Sequence, residues 1–153
     1  MSESRDPRSK ADFKALRELV GLTQFELAEA LHLEVRQIKR YEHPKGYQPT
    51  TKAWHFLDKL LVEQDKIVKR SISIVKEVEE LHGKQSVIKI PYYRNQAEYE
   101  EHNGQGWGFY SAENATARAT ANALRLMGYE VSFRYVGPKN TPTMNTADEE
   151  SEE

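Results

Sequence analysis

From Thr51 to Leu81 the chain runs without a proline or a glycine, and within that stretch Leu60, Ile67, Ile74 and Leu81 recur every seven residues. Trp54, Leu57, Leu61, Val68, Val75 and Val78 widen the same stripe. Apolar residues at three- and four-residue spacing specify an amphipathic helix, here with Thr50 or Thr51 as its N-cap. Unbroken, it would reach roughly 45 Å at 1.5 Å per residue. Such a stripe is more than a neighbouring unit of some 50 residues can cover. Two arrangements answer the excess. In one, the stripe packs against its twin in a homodimer, with Leu60, Ile67, Ile74 and Leu81 at the contact and Gln64 and Ser71 fixing the register. In the other, the segment bends near Glu63–Gln64 and its C-terminal half covers a second domain. The two are compatible.

Ahead of this connector the chain reads as three short helices. Phe13, Leu16, Leu19 and Val20 form one stripe from about Asp12, and Gly21 stands where a C-terminal glycine cap belongs. Thr23 followed by Glu26 is a capping box, in which each side chain satisfies the other's orphan backbone N–H. Phe25, Leu27, Ala28 and Leu31 supply the apolar face of that second helix. After a break at His32–Leu33, a third segment runs from Glu34 to about Glu42. Val35 or Leu33, Ile38 and Tyr41 point inward, and Arg36, Gln37, Lys39 and Arg40 point outward. Lys45 follows in a polar loop, where Pro44, Gly46 and Pro49 stop the helix.

Two short helices with a tight break fit the helix-turn-helix layout, whose second helix lies in the major groove. Arg and Lys donate to guanine O6 and N7, and the amide of Gln37 suits adenine N6 and N7. Gln24, in the first turn of the second helix, sits at a positive helix end, where an amide and backbone N–H groups hold a phosphate. Taken alone, Arg36, Lys39 and Arg40 would be an ordinary solvated face, because protein surfaces are rich in Lys and Arg. It is the surrounding pattern that makes them candidate base-readers.

The run RELVGLTQFELAEALHLEVRQIKRYEH resembles the helix-turn-helix of lambda-repressor-like (Xre-type) regulators. The likeness lies in Arg17, Leu22-Thr23-Gln24, Glu26-Leu27-Ala28, Leu31, Ile38 and Tyr41-Glu42. It implies phosphate and helix-cap contacts for Gln24, and base or adjoining phosphate contacts for Val35, Arg36, Lys39 and Arg40. It also implies a structural pair, Arg17 with Glu42, tying the first helix to the end of the third. Two positions depart from the pattern. His32 stands where a glycine is usual, so its backbone either avoids positive φ or carries a strain of about 1–2 kcal/mol. Glu34 replaces a small N-cap residue, and its carboxylate would repel phosphate or accept from a cytosine amine.

The second half reads as a small α+β module. Ser86–Tyr93 alternates, with Ile88, Ile90 and Tyr92 on one face and Lys89 on the other, and Pro91 marks an edge or a strand end. Asn95 with Glu98 opens a short helix to about Glu101. A loop leads to a short strand at Trp107–Tyr110. Ser111 is the expected N-cap of an Ala-rich helix that ends at Met127, with Gly128 as its stop. A last strand over Glu130–Val136 sets Val131, Phe133 and Tyr135 against Ser132 and Arg134. The tail from Gly137, rich in Pro, Thr and Glu, reads as disordered.

The stretch IPYYRNQAEYEEHN…GWGFYSAENATARATANALRLMGYEVSF resembles the C-terminal dimerisation domain of anti-CRISPR-associated regulators. The matching features are Tyr93, Glu98-Tyr99, Gly106-Trp107, the Ser111-to-Ala123 helix and Gly128. The resemblance implies a homodimer that binds an inverted repeat in its own promoter, in a phage or related element, and represses it. Tyr92, Phe133 and Tyr135 join the stripe of the connecting helix as expected dimer contacts. The resulting division is a flexible arm (1–11), a helix-turn-helix domain (12–50), a connecting helix (51–83), a dimerisation domain (84–136) and a disordered tail (137–153).

Composition narrows the classes. The chain of 153 residues has a formal charge of −2, so charge placement rather than its sum must carry any nucleic-acid binding. It has no cysteine, which excludes disulfides, thiolate metal sites and cysteine nucleophiles. His32, His43, His55, His82 and His102 lack ligand spacing, and no cofactor is expected. Gly104-Gln105-Gly106-Trp107-Gly108 lacks the Lys and Ser/Thr of a phosphate loop. No catalytic constellation assembles, so an enzyme is not expected. The start of the chain shows no apolar signal region and no apolar run in the sequence is long enough to span a membrane, so a cytoplasmic protein is the expectation. Two other functions compete with the repressor: an antitoxin whose C-terminal part folds on a toxin, and RNA binding through the basic helix or the Tyr92/Tyr93 region.

Overall fold

The structure is a computed structural model that describes residues 6–106 and 108–137. Its elements are α1 (Lys10–Val20), α2 (Gln24–Leu31), α3 (Val35–Glu42), α4 (Thr51–His82), β1 (Ile88–Tyr92), α5 (Gln96–Asn103), α6 (Tyr110–Leu126) and β2 (Val131–Tyr135). The fold is mostly helical with one small parallel sheet, an α+β arrangement. Two compact units divide inside α4, between Lys66 and Ile67.

In the first unit each helix boundary has a local cause. The Ser9 hydroxyl accepts from the Asp12 N–H at 3.0 Å while the Asp12 carboxylate accepts from the Ser9 N–H at 2.8 Å, a capping box that starts α1. Thr23 and Glu26 form the same reciprocal pair at the start of α2, at 3.0 and 2.9 Å. α1 ends on Gly21, whose φ of 87° is accessible without penalty only to glycine. α2 ends on His32 at φ 57°, so this histidine does adopt the left-handed conformation. Phe13, Leu27, Ile38 and Leu57 are fully buried, and the Phe13 ring meets Tyr41 and Trp54 edge-on at 5.7 and 5.1 Å.

Two expectations change here. Residues 6–9 are anchored rather than a flexible arm: the Arg8 guanidinium lies 4.0 Å from the Trp54 ring centroid and pairs with Asp6 and Asp58 at 2.7 Å each. Residues 1–5 lie outside the described residues. Gln64 is buried and donates to the Leu19 carbonyl at 2.9 Å, so its amide is engaged by α1 within the unit instead of setting register between copies.

In the second unit β1 and β2 pair in parallel, with Ile88 opposite Val131, Ile90 opposite Phe133 and Tyr92 opposite Tyr135. Ile88, Ile90 and Val131 pack with Ala121 and Leu124 of α6, and Ile72 and Val75 of α4 lie against that cluster. α4 runs as one unbroken helix, and Ile72 and Val75 of its C-terminal half cover the core of the second unit, as the second arrangement expects. α6 begins at Tyr110 with Phe109 in the N-cap position, which places Ser111 inside the helix. Gly108 and Phe109 are not in a strand, and Trp107 lies outside the described residues. The tail expected to be disordered lies outside them from residue 138 onward.

Candidate nucleic-acid interface

α2 and α3 are joined by a three-residue turn, His32–Glu34. Ile38 and Tyr41 bury one face of α3, which turns Arg36, Lys39 and Arg40 to the surface on the opposite side. Val35 and Gln37 are half-buried. Gln37 is not simply an outward amide: its Oε1 accepts from the Glu34 N–H at 3.0 Å and closes the first turn, which leaves the Nε2 donor for other partners. Arg36 is held by Glu34, its Nε 2.7 Å from the carboxylate, with both side chains about two-thirds exposed. Screening by water makes this a weak contact.

Gln24 is oriented by a buried group. Its Nε2 donates to Glu42 Oε1 at 3.1 Å, and the same carboxylate takes two donors from Arg17. Arg17 in turn donates from Nη1 to the Leu22 carbonyl at 2.8 Å. One network therefore fixes α1, the entry to α2 and the end of α3 in a single arrangement.

The α3–α4 loop is fastened to the same helix. The Lys10 ammonium donates to the Arg40 carbonyl at 2.9 Å, to that of Tyr41 at 3.2 Å, and to that of Tyr47. This is the negative end of α3, where a cation is favoured. Burial holds the Lys10 pKa below its usual value. A side chain at Gly46 would collide with the Arg40 carbonyl, so the loop closes this tightly only with glycine there. Tyr47 is 68% exposed and its ring centroid is 5.4 Å from the Arg40 guanidinium. Lys45 is exposed in the same loop, with its backbone N–H on His43 Nδ1 at 3.0 Å.

The structure thus gathers Arg36, Lys39 and Arg40 on one helix, with Lys45 in the loop that follows and Gln24 tied to the helix end. Lys10 and Tyr47 lie beside that surface, and the buried Glu42 supports it from beneath through Gln24. Glu42 was visible as one half of a structural pair, and Lys10 and Tyr47 carry no local signal. No family model and no curated protein matches the chain.

The residues expected at a dimer contact are distributed over both units. Leu60 is half-buried in the first. In the second, Ile67, Ile74 and Leu81 lie on α4 with large exposed areas, Leu81 at 75%. Tyr92 and Phe133 are half-buried with ring centroids 5.1 Å apart, and the Tyr92 hydroxyl accepts from Arg118 at 2.6 Å. Tyr135 is 49% exposed. Among the described residues no cluster of three or more His, Asp or Glu is placed to hold a metal, and no helix is long and apolar enough to cross a membrane.

Proposed function

We propose that the protein is a sequence-specific DNA-binding regulator that works as a homodimer and represses its own promoter in a phage or related mobile element. The observation that carries this reading is the division of α3: Ile38 and Tyr41 lock one face into the core while Arg36, Lys39 and Arg40 stand exposed on the other. A helix so held can enter a major groove, where guanidinium groups read guanine and ammonium groups meet phosphate. Gln24 and Lys45 contact phosphates on either side. The exposed Ile67, Ile74, Leu81 and Tyr135 give a second copy apolar surface to cover, and two copies suit an inverted repeat. A second unit that folds with its own core favours this reading over an antitoxin whose C-terminal part folds only on its toxin. No catalytic step and no cofactor enter the mechanism; occupancy of the promoter blocks polymerase.

The test uses a duplex selected by the protein from a random-sequence pool, beside a scrambled duplex. Arg36→Ala or Arg40→Ala costs about 1–3 kcal/mol on the selected duplex and relaxes the preference at one base pair, whereas Lys45→Ala weakens both duplexes alike and lowers the salt slope by about one. Equal losses on both duplexes for all three variants would remove the base-reading role from α3.

A further inference from the structure

The two edges of the β1–β2 sheet are not equivalent. The Ile88 N–H donates to the Glu130 carbonyl at 2.8 Å, and the Val136 N–H donates to the Tyr92 carbonyl at 3.0 Å. Backbone groups alternate between the two edges along a strand, so Ile88, Ile90 and Tyr92 face β2 while Lys89 and Pro91 face outward from β1. Pro91 has no N–H to offer at that edge. The next outward residue, Tyr93, is already matched by a side chain: its N–H donates to Asn114 Oδ1 at 2.9 Å and its carbonyl accepts from Asn114 Nδ2 at 2.8 Å. Asn114 is only 4% exposed and imitates one residue of a neighbouring strand. The outer edge of β1 is thereby closed to a further strand.

Among the described residues β2 has no such closure. The same alternation turns the backbone of Val131, Phe133 and Tyr135 outward. Among the described residues its outward carbonyls meet long guanidinium contacts, Arg125 to Val131 at 3.3 Å and Arg134 to Phe133 at 3.2 Å.

We infer that a second copy of the chain pairs with β2 along this edge, antiparallel, to make a four-stranded sheet in the order β1–β2–β2–β1. This rests on the two-copy reading above and names where the copies join. Centred on Phe133, the pairing places Phe133 opposite Phe133 of the partner subunit and Val131 opposite Tyr135 of the partner subunit. All three outward residues then exchange backbone hydrogen bonds, and the exposed Tyr135 ring gains an apolar neighbour. On the other face Ser132 comes opposite Arg134 of the partner subunit. Centring on Arg134 would instead set two like charges opposite each other, which is unfavourable. Centring on Ser132 would shift the pairing off the end of the strand.

The chain has no cysteine, so a single introduced thiol reports this register directly. Facing residues in a hydrogen-bonded antiparallel pair have Cα atoms about 5.5 Å apart, within disulfide reach. Mild oxidation with glutathione disulfide should convert full-length Phe133→Cys into a covalent dimer, and should leave Ser132→Cys and Arg134→Cys uncross-linked. Tyr135→Pro removes an outward N–H without touching a β1–β2 bond, and should weaken the dimer by about tenfold or more, read from mass against concentration. An unmodified protein that stays monomeric would overturn the two-copy reading and this inference together. A dimeric protein in which Phe133→Cys does not cross-link, or whose affinity Tyr135→Pro leaves unchanged, would overturn the β2 edge alone.

Discussion

Arg17 grips both carboxylate oxygens of Glu42, Nε to Oε2 at 2.6 Å and Nη2 to Oε1 at 2.9 Å, with the two side chains only 8% and 4% exposed. Two such buried charges attract strongly only because their geometry is bidentate and Leu22 and Gln24 occupy the remaining positions. The pair serves the candidate interface indirectly. It fixes where α3 ends relative to the first turn of α2, and so the spacing between the Gln24 amide and the exposed cations.

Removing the acid leaves a guanidinium buried without its counter-charge. Glu42→Ala should therefore cost about 3–5 kcal/mol of stability, measured by denaturant unfolding. Glu42→Gln, which keeps an acceptor, should cost less. A loss under about 1 kcal/mol for Glu42→Ala would place the pair among weak surface contacts.

His32 ends α2 at φ 57°, a conformation that strains a side chain bearing a Cβ. His32→Gly should stabilise the protein by about 1 kcal/mol and raise the melting temperature by a few degrees. Because His32 is exposed and its ring makes no hydrogen bond or ring contact among the described residues, DNA affinity should not change. A lower melting temperature would show that the ring contributes more than the backbone costs.

Much of the first unit was legible because its signals are local. The Thr23/Glu26 box, Gly21 after Val20 and the prolines after Glu42 each act through neighbouring residues, and the helices begin and end within a residue or two of those marks. Ser9 with Asp12 is the same box and carries the same local signal for the start of α1, two residues ahead of where the apolar stripe alone puts it. What was not legible comes from distant parts of the chain meeting. Nothing near Gln64 says that its amide reaches Leu19, and nothing near Lys10 says that it holds the end of α3. Parallel pairing of β1 with β2 likewise joins residues some forty apart, and Asn114 reaches the edge at Tyr93 from 21 residues away. At Gly108–Tyr110 the aromatic pattern suggested a strand, but the chain goes straight into α6.

Glu34 holds Arg36 at 2.7 Å and adds a negative charge beside the candidate groove-facing surface. Both groups are exposed, so the ion pair contributes little to stability. Glu34→Gln should leave the melting temperature within about a degree. It should strengthen binding to the selected duplex several-fold, more at low salt than at high salt because the effect is electrostatic. Weaker binding would mean that the carboxylate positions Arg36 or accepts from a cytosine amine.

The anchored segment before α1 should respond to acid. The Arg8 guanidinium, through its side-chain hydrogen bond, lowers the Asp6 pKa from 3.8 to about 2. A depressed folded-state value means the contribution is fully present above 3.8 and is lost as pH falls towards about 2. The stability difference between the natural protein and Asp6→Asn, followed by thermal melting across that window, should be largest above it and vanish at its lower end. A difference that grows on acidification would have the wrong sign for this pairing.

In the proposed mechanism α3 reads DNA sequence from a paired molecule. Its most direct test is binding of the full-length protein to the DNA upstream of its own gene and to a scrambled duplex, at near-physiological salt, with the mass of each complex determined in the same samples. A paired, base-reading α3 should give selective binding, on the order of a thousandfold or more over the scrambled duplex, with two protomers on one inverted repeat. Equal, weak binding to both duplexes, or one protomer per site, would contradict it.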